Sequence, residues 1–144
     1  MAIVATSASE ARENFSEFLD NAGRKPEFIS RRRETFIVIP TEIINQAGFG
    51  KIRIRFGYDD TEDGRVYFTK NVIFPDVIGW GNSKAEALNS FVEGLTALCM
   101  DFHNNFQLYA SAPNRKNQIM PVVGILSIIA GGGNIADIIE AGRV

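Results

Sequence analysis

The pattern of apolar and polar positions divides the chain into a first block, residues 1–48, and a second block that begins at Lys51. In the first block, Ile3–Ala5 is apolar and predicts a short strand. Ser7 and Glu10 then have the spacing of a capping box, which predicts that a helix begins there. The apolar residues that follow at helical spacing give this helix one narrow stripe: Ala11, Phe15, Phe18, Leu19 and Ala22.

Two further strands and a short helix complete the first block. Strands are expected at Glu27–Arg31 and Thr35–Ile39, joined by a turn around Arg32 and Arg33. A short helix is expected from Pro40 through Ala47, and the glycines after it end the block. The predicted order of elements is therefore strand, helix, strand, strand, helix.

The second block, residues 51–105, predicts a hairpin that packs against a long helix. Lys51–Tyr58 alternates apolar with mostly basic residues, which indicates a half-buried strand. Arg65–Ile73 is the return strand, after a polar turn. Ser83-Lys84-Ala85-Glu86 is a second capping box, and apolar residues then recur at helical spacing as far as Phe102.

The tail, residues 106–144, has a less regular pattern. Phe106–Ala110 is expected as a strand, and 113–118 as a polar loop. The apolar run 119–130 leaves two alternatives open. It completes the sheet beside the hairpin, with Val122–Leu126 as the candidate strand, or part of it stays free to bind a partner.

Composition and charge limit the classes of function. A chain of 144 residues that is 45% hydrophobic and 22% charged supports a folded core. One Cys and one His exclude a disulfide framework and metal sites built from Cys or His clusters. The net charge of −2 leaves nucleic-acid binding to a local basic patch. With no signal peptide and no apolar run near ~20 residues, we expect a cytoplasmic protein without a membrane partner.

One local basic patch lies in the first block. It consists of Arg24, Lys25, Arg31, Arg32 and Arg33, with Arg12 expected in the first turns of the first helix. Positive side chains near a helix N-terminus and on a basic turn form one surface that is able to meet phosphates. A solvated hairpin turn explains the same residues equally well.

Two other clusters were considered for chemistry. The acidic run 59–63 has enough carboxylates for a hard cation, but its spacing fits no EF-hand loop. Cys99 and His103 lie four residues apart on the long helix, and nothing nearby in sequence supplies a third catalytic group or an oxyanion donor. We therefore expect no catalytic residue, no metal and no cofactor.

Three segments of the first block follow one another in a specific order: Ser9–Leu19, Pro26–Arg31 and Phe36–Pro40. With them, residues 3–44 resemble the Phd/YefM antitoxin family, whose members dimerise through this module and bind operator DNA. The resemblance implies a homodimer or a higher even oligomer in which Arg12 and Arg31 face DNA. The other candidates for DNA contact are Lys25, Arg32 and Arg33. The family usually has a Gly and a Pro at the hairpin turn, where this chain has Arg32-Arg33-Glu34-Thr35.

Two motifs of the second block, Phe74–Trp80 and Gly81–Leu88, are similar to the Phe-Pro-Asp-x-x-Gly-Cys and Gly-Asp-Thr-x-x-Glu-Ala-Leu motifs of HicB antitoxins. Residues 51–102 thus resemble the HicB domain, a partial RNase H-like sheet with one helix. The predicted fold class is α+β. A Phd/YefM-like β-α-β-β-α module would precede a HicB-like hairpin-plus-helix domain, and residues 106–144 would complete the sheet or bind a partner.

Together the two resemblances imply the antitoxin of a type II toxin–antitoxin system. It would neutralise a basic, RNA-targeting toxin by direct binding and repress its own operon. One alternative is a HicB-like module that binds protein or RNA without a DNA role. Another is a metal-dependent nuclease that uses the acidic turn.

We expect the toxin to bind the second block and the tail. After Gly131–Gly133, Asn134 is expected to cap a final helix through Ala141. Three apolar anchors of that helix would dock in the toxin, and two flanking carboxylates suit a basic partner. These candidate toxin-binding residues are Ile135, Ile138, Ile139, Asp137 and Glu140.

Overall fold

The computed structural model describes residues 2–142, which form two compact units divided between Ile43 and Ile44. Both units combine helices with a β-sheet, so the predicted α+β class is confirmed at this level. The first unit holds a three-stranded sheet in the order β1-β2-β3. Its elements are β1 (Thr6–Ser7), α1 (Ala8–Glu13), α2 (Phe15–Ala22), β2 (Glu27–Arg31), β3 (Glu34–Val38) and the start of α3 (Thr41–Gln46), which crosses the division.

The first helix of the prediction is interrupted in the structure. Ser7 caps α1 as expected, because its hydroxyl accepts a hydrogen bond from the Glu10 N–H at 3.2 Å. Asn14 then leaves helical geometry, with φ −123° and ψ 47°, and a second helix starts at Phe15. Asn favours such a break because its side chain competes for backbone hydrogen bonds. The predicted strand at Ile3–Ala5 is also wrong: the strand is Thr6–Ser7, paired in parallel with β2.

The β2–β3 hairpin turns through two arginines. Arg31 pairs with Glu34, so Arg32 and Arg33 form a two-residue turn. Arg32 has φ 58°, in the left-handed region that favours glycine. The hairpin is therefore confirmed, with β3 starting and ending one residue earlier than predicted.

Replacing Arg32 with glycine should stabilise this hairpin. The left-handed conformation costs an L-residue ~1–2 kcal/mol, and glycine removes this cost. Glycine also loses more backbone entropy on folding, which offsets part of the stabilisation. Arg32→Gly should therefore raise the free energy of unfolding by up to ~1 kcal/mol, measured by urea denaturation at fixed protein concentration. Arg33→Gly is the matched control, because the φ of Arg33 lies outside that region. It should lower stability slightly, and equal effects of the two variants would contradict the account.

The second unit is a four-stranded sheet in the order β6-β5-β4-β7 with a layer of helices on one face. Its strands are β4 (Ile52–Thr61), β5 (Gly64–Lys70), β6 (Trp80–Gly81) and β7 (Ile139–Ala141). Its helices are α4 (Lys84–Asn104), α5 (Phe106–Ser111) and α6 (Ile119–Ala130), with 3-10 turns at Pro113–Gln118 and Ile135–Ile138. The predicted hairpin is confirmed, but its turn is shorter: Thr61 pairs with Gly64.

The long helix α4 organises the core of the second unit. Its predicted capping box is present, because the Ser83 hydroxyl accepts from the Glu86 N–H at 3.1 Å and the Glu86 carboxylate accepts from the Asn82 N–H at 2.7 Å. The helix buries one stripe against the sheet and α6: Ala87, Phe91, Leu95, Cys99 and Phe102. Ile52 and Ile54 meet this stripe from the sheet.

The tail folds differently from the prediction. The expected strand at Phe106–Ala110 is a helix, and the expected loop at 113–118 is a 3-10 turn. The apolar run is the helix α6, which buries Val122 and Ile125 against α4, so the candidate strand Val122–Leu126 is wrong. The sheet is completed instead by β7, which pairs in parallel with β4. The mostly apolar run is twelve residues long, which is enough for a helix and longer than most strands.

Candidate functional site

The five basic residues that were expected to contact DNA are all exposed: Arg12, Lys25, Arg31, Arg32 and Arg33. Within residues 2–142, none of them forms an ion pair with a carboxylate. Three of them are consecutive at the tip of the β2–β3 hairpin. An unpaired cation cluster on a tight turn is free to meet an external anion.

The other two candidates, Lys25 and Arg12, do not lie at this hairpin tip. Lys25 precedes β2, whereas Arg31 ends it, and the four residue steps of β2 span about 13 Å. Arg12 lies in the last turn of α1, because the helix ends at Glu13, and not in the first turns of a long helix. Because α1 has only six residues, Arg12 also lies within two turns of its first residue, Ala8, and the contact of Arg12 with DNA stays a prediction. At a C-terminal turn the Arg12 charge also favours its own helix.

The first unit leaves much apolar surface uncovered. Three of its apolar side chains are buried, Ala11, Phe18 and Ala22. Seven large ones are exposed: Ile3, Val4, Phe15, Leu19, Phe36, Ile37 and Ile43. β3 is an edge strand, and Ile37 on it is 57% exposed. Exposed apolar surface on this scale is typical of an association interface.

The residues that were expected to dock in a toxin do not form the predicted helix. The predicted final helix is wrong: Asn134 caps a 3-10 turn, and the strand β7 follows it. Ile135 is 5% exposed, and Ile138 and Ile139 pack against the core. These side chains complete the second unit because β4 offers an open edge for β7 to pair with. They are therefore not free anchors.

The two carboxylates of that segment remain at the surface. Asp137 is exposed. Glu140 faces Lys51 at 3.9 Å and Arg53 at 3.6 Å, across the β4–β7 pair. Both ion pairs are solvent-exposed and contribute little to stability. Of the two candidate carboxylates, Glu140 is paired, whereas Asp137 forms no ion pair within residues 2–142.

The residues considered for catalysis are not arranged for it. Burial raises the pKa of the Cys99 thiol to about 12, so the thiolate nucleophile is scarce at neutral pH, while His103 is exposed. Asp60 accepts from the Arg65 guanidinium at 2.8 Å, which raises the pKa of Arg65 further above its usual value. Asp59 and Asp60 are adjacent on β4 and point to opposite faces. In residues 2–142, no three His, Cys, Asp or Glu side chains gather as a metal site would need.

The outer face of the second sheet is an exposed surface that the sequence did not predict. It carries Arg53 and Arg55 on β4, Phe68 and Lys70 on β5, and Trp80 on β6. The signal was partly visible, because Lys51–Tyr58 alternates basic with apolar residues. The pairing that places Phe68 and Trp80 beside these arginines needs the strand register.

Comparison with known proteins identifies the class of this chain. Residues 1–127 match the sequence model of the PHD-like family, described as the antitoxin of a toxin–antitoxin system, RelE/RelB. The chain belongs to this family. It is an antitoxin of a toxin–antitoxin system, which implies a cognate toxin as its partner. No curated protein matches it.

A solved structure extends the likeness of this antitoxin beyond the family match. It is a crystal structure from Syntrophomonas wolfei subsp. wolfei, described as the antitoxin part of a proposed toxin/antitoxin system. The two chains are 26% identical with a TM-score of 0.77, over 98% of this chain and 99% of the other. The tail therefore belongs to the shared fold. No helix in residues 2–142 is both long and apolar enough to cross a bilayer.

Proposed function

We propose that this antitoxin neutralises its toxin by direct binding and represses its own operon by binding operator DNA. The observation that carries the DNA role is the set of exposed, unpaired basic residues of the first unit, above all Arg31, Arg32 and Arg33 at one hairpin tip. Repression requires no reaction, and we propose that the protein is not an enzyme. Cofactors and metals have no part in this proposal.

The proposed architecture joins a Phd/YefM-like module to a HicB-like domain. The element order of the first unit and the start of α3, β-α-α-β-β-α with one interrupted helix, supports the first assignment. A hairpin, a short third strand and a long capped helix support the second. The PHD-like family match covers the first unit and the second unit as far as residue 127.

The DNA-binding form is proposed to be a homodimer or a higher even oligomer. The first unit has three buried apolar side chains against seven large exposed ones, so pairing with a second copy would cover surface that one copy cannot. A two-fold dimer also suits operators with paired half-sites. Light scattering of the full chain at high micromolar concentration tests this point, and a strict monomer would contradict it.

We propose that the toxin is a basic, RNA-targeting protein and that it binds the second unit. The exposed Asp137 and the acidic turn at Glu62-Asp63 supply negative charge there. The protein encoded beside this gene is the natural candidate. Co-expression of the two should restore the growth that the neighbour alone arrests, and the two proteins should co-purify as a complex. Continued arrest with both proteins present would refute neutralisation.

Two single substitutions test the DNA role. Arg12→Ala and Arg31→Ala should each weaken binding to the upstream DNA without unfolding the protein, because both side chains are exposed. A lost phosphate contact reduces the salt slope by about one, and a lost base contact costs ~1–3 kcal/mol and relaxes specificity. The measurement is fluorescence anisotropy with labelled upstream DNA. Lys116→Ala, an exposed lysine of the second unit, is the control. Unchanged affinity in both arginine variants would favour an interaction module without a DNA role.

A further inference from the structure

The outer face of the second sheet presents two neighbouring rows of side chains. Register places Trp80 opposite Phe68, and Phe68 opposite Gly57, so two aromatic side chains on β6 and β5 form a row that ends at Gly57 on β4. The next row on the same face pairs Lys70 with Arg55. Successive residues of a strand alternate between faces, so rows two residues apart share one face at a spacing of about 7 Å. We call these side chains the platform: Arg53, Arg55, Phe68, Lys70 and Trp80.

The aromatic row consists of an exposed Trp80 and a half-buried Phe68. The rings of Phe68 and Trp80 lie 5.2 Å apart between centroids with a tilt of 43°, and Trp80 is 51% exposed. Gly57 makes room for the Phe68 ring, because a Cβ there would lie 2.6 Å from the Phe68 Cε2 atom. The ring therefore lies across the sheet surface. Such a pair offers aromatic faces on which a planar group can stack.

The basic row lies beside the aromatic one. Arg55 and Lys70 are exposed and form no ion pair within residues 2–142, and the Lys70 ammonium is 5.4 Å from the Phe68 ring centroid. Arg53 is exposed as well and shares Glu140 with Lys51. The centre of the platform is therefore positive, although the whole chain has a net charge of −2.

A shallow cavity adjoins the platform at Trp80. It has a volume of about 360 Å³, and its walls include Pro75, Ile78 and Lys70. Ile78 is 47% exposed and gives the cavity an apolar wall, while Lys70 supplies a cation at its edge. An apolar slot with one cation beside it suits a planar heterocycle attached to an anionic group.

We propose that the platform binds a single-stranded nucleic acid, with bases stacked on Trp80 and Phe68 and phosphates held by Lys70 and Arg55. An exposed and a half-buried aromatic residue beside two exposed basic ones on a sheet surface provide both interactions that a single strand needs. A duplex is a poorer fit because its base faces are already stacked on each other. An apolar peptide would use the aromatic row but leave the cations without partners. This site is separate from the basic hairpin tip of the first unit.

The intrinsic fluorescence of the full-length protein reports on the proposed contact directly. Trp80 is the only tryptophan of the chain, so a base that stacks on it should quench the signal. The probes are an oligouridine and an oligothymidine of about 12 nucleotides, a length within the usual range for one single-strand site. Tighter binding of the oligouridine would identify single-stranded RNA as the ligand. Equal binding would show that the platform binds single-stranded RNA and DNA alike. No quenching by either probe at low salt would overturn the proposal.

Substitutions separate stacking from charge. Trp80→Ala should weaken binding of a fluorescein-labelled oligonucleotide by roughly 5- to 160-fold, the range for one lost base stack. Lys70→Glu should weaken binding and reduce the salt slope by about 0.7, the value for one phosphate contact on a single strand. Tyr58→Leu, on the opposite face of the same sheet, and Lys116→Ala, an exposed lysine of the same unit outside the platform, are the controls and should leave binding unchanged.

A toxin that docks on the same face is the competing outcome. In that case Trp80→Ala would abolish co-purification with the neighbouring protein, and the wild-type protein would bind neither oligonucleotide. The proposal predicts the reverse: oligonucleotide binding falls, whereas co-purification with the toxin and binding to the upstream duplex persist. Loss of oligonucleotide binding in Arg31→Ala together with unchanged binding in Trp80→Ala would also overturn it, since the contact would then lie in the first unit.

Discussion

A chain that ends at Ala130 should lose the folded state of its second unit. The deletion removes β7 from the edge of β4 and takes the buried Ile135 out of the core. Ile52 and Ile54 of β4, which pair with β7, would keep their apolar side chains but lose their backbone partners. Circular dichroism and urea denaturation should show a broad transition or none for the second unit.

A point substitution keeps this prediction measurable if the shortened chain cannot be purified. Ile135→Ala should lower the free energy of unfolding by ~2–5 kcal/mol, the usual cost of deleting a buried aliphatic side chain. Asp137→Ala, two residues away and exposed, should change it by less than ~0.5 kcal/mol. If Ile135→Ala left stability unchanged and abolished toxin binding alone, Ile135 would be a docking anchor after all.

Gly79→Ala should destabilise the second unit by ~3 kcal/mol or more. Gly79 is buried where the chain enters β6, and a Cβ would lie 2.5 Å from the Phe91 backbone nitrogen and also contact the Ala87 carbonyl oxygen. The segment cannot shift easily, because the Gly79 N–H donates to the Thr69 hydroxyl at 2.8 Å and its carbonyl accepts from the Thr69 N–H at 3.0 Å. Overpacking against backbone atoms therefore costs more than overpacking against flexible side chains.

The control for this substitution is another glycine of the same unit. Gly94 is exposed in α4, and a Cβ there would meet the Val77 Cγ1 atom at 3.2 Å. Alanine also has the higher helix propensity, so Gly94→Ala should change the free energy of unfolding by less than ~1 kcal/mol. Both values come from urea denaturation of the full chain. Equal effects of the two substitutions would show that Gly79 is not a close-approach position.

The sequence was most informative where local signals agreed. α4 was predicted within a residue or two, because its capping box and its apolar periodicity are both local features. The β4–β5 hairpin was also predicted, from alternation and a polar turn. The register of this hairpin was not predicted. It depends on the exact turn, which is Glu62-Asp63 and shorter than expected, and the turn sets which residues pair across the strands.

The tail shows where local signals fail. β7 is three residues long and is stabilised by β4, which lies far away in sequence. No pattern within Ile139–Ala141 distinguishes such a strand from a helix turn. The five candidate DNA-binding residues are exposed, as charged side chains usually are, but their contact with DNA stays a prediction. The platform was missed because it depends on the register of three strands.

The central claim is that this antitoxin represses its own operon through the first unit. DNase footprinting of the region upstream of its gene tests this claim most directly. The full-length protein should protect two half-sites related by two-fold symmetry, about one helical turn apart or a multiple of it, and Arg31→Ala should lose that protection at the same concentration. If the wild-type protein protected no upstream sequence, or if Arg31→Ala protected it equally, the account would be contradicted.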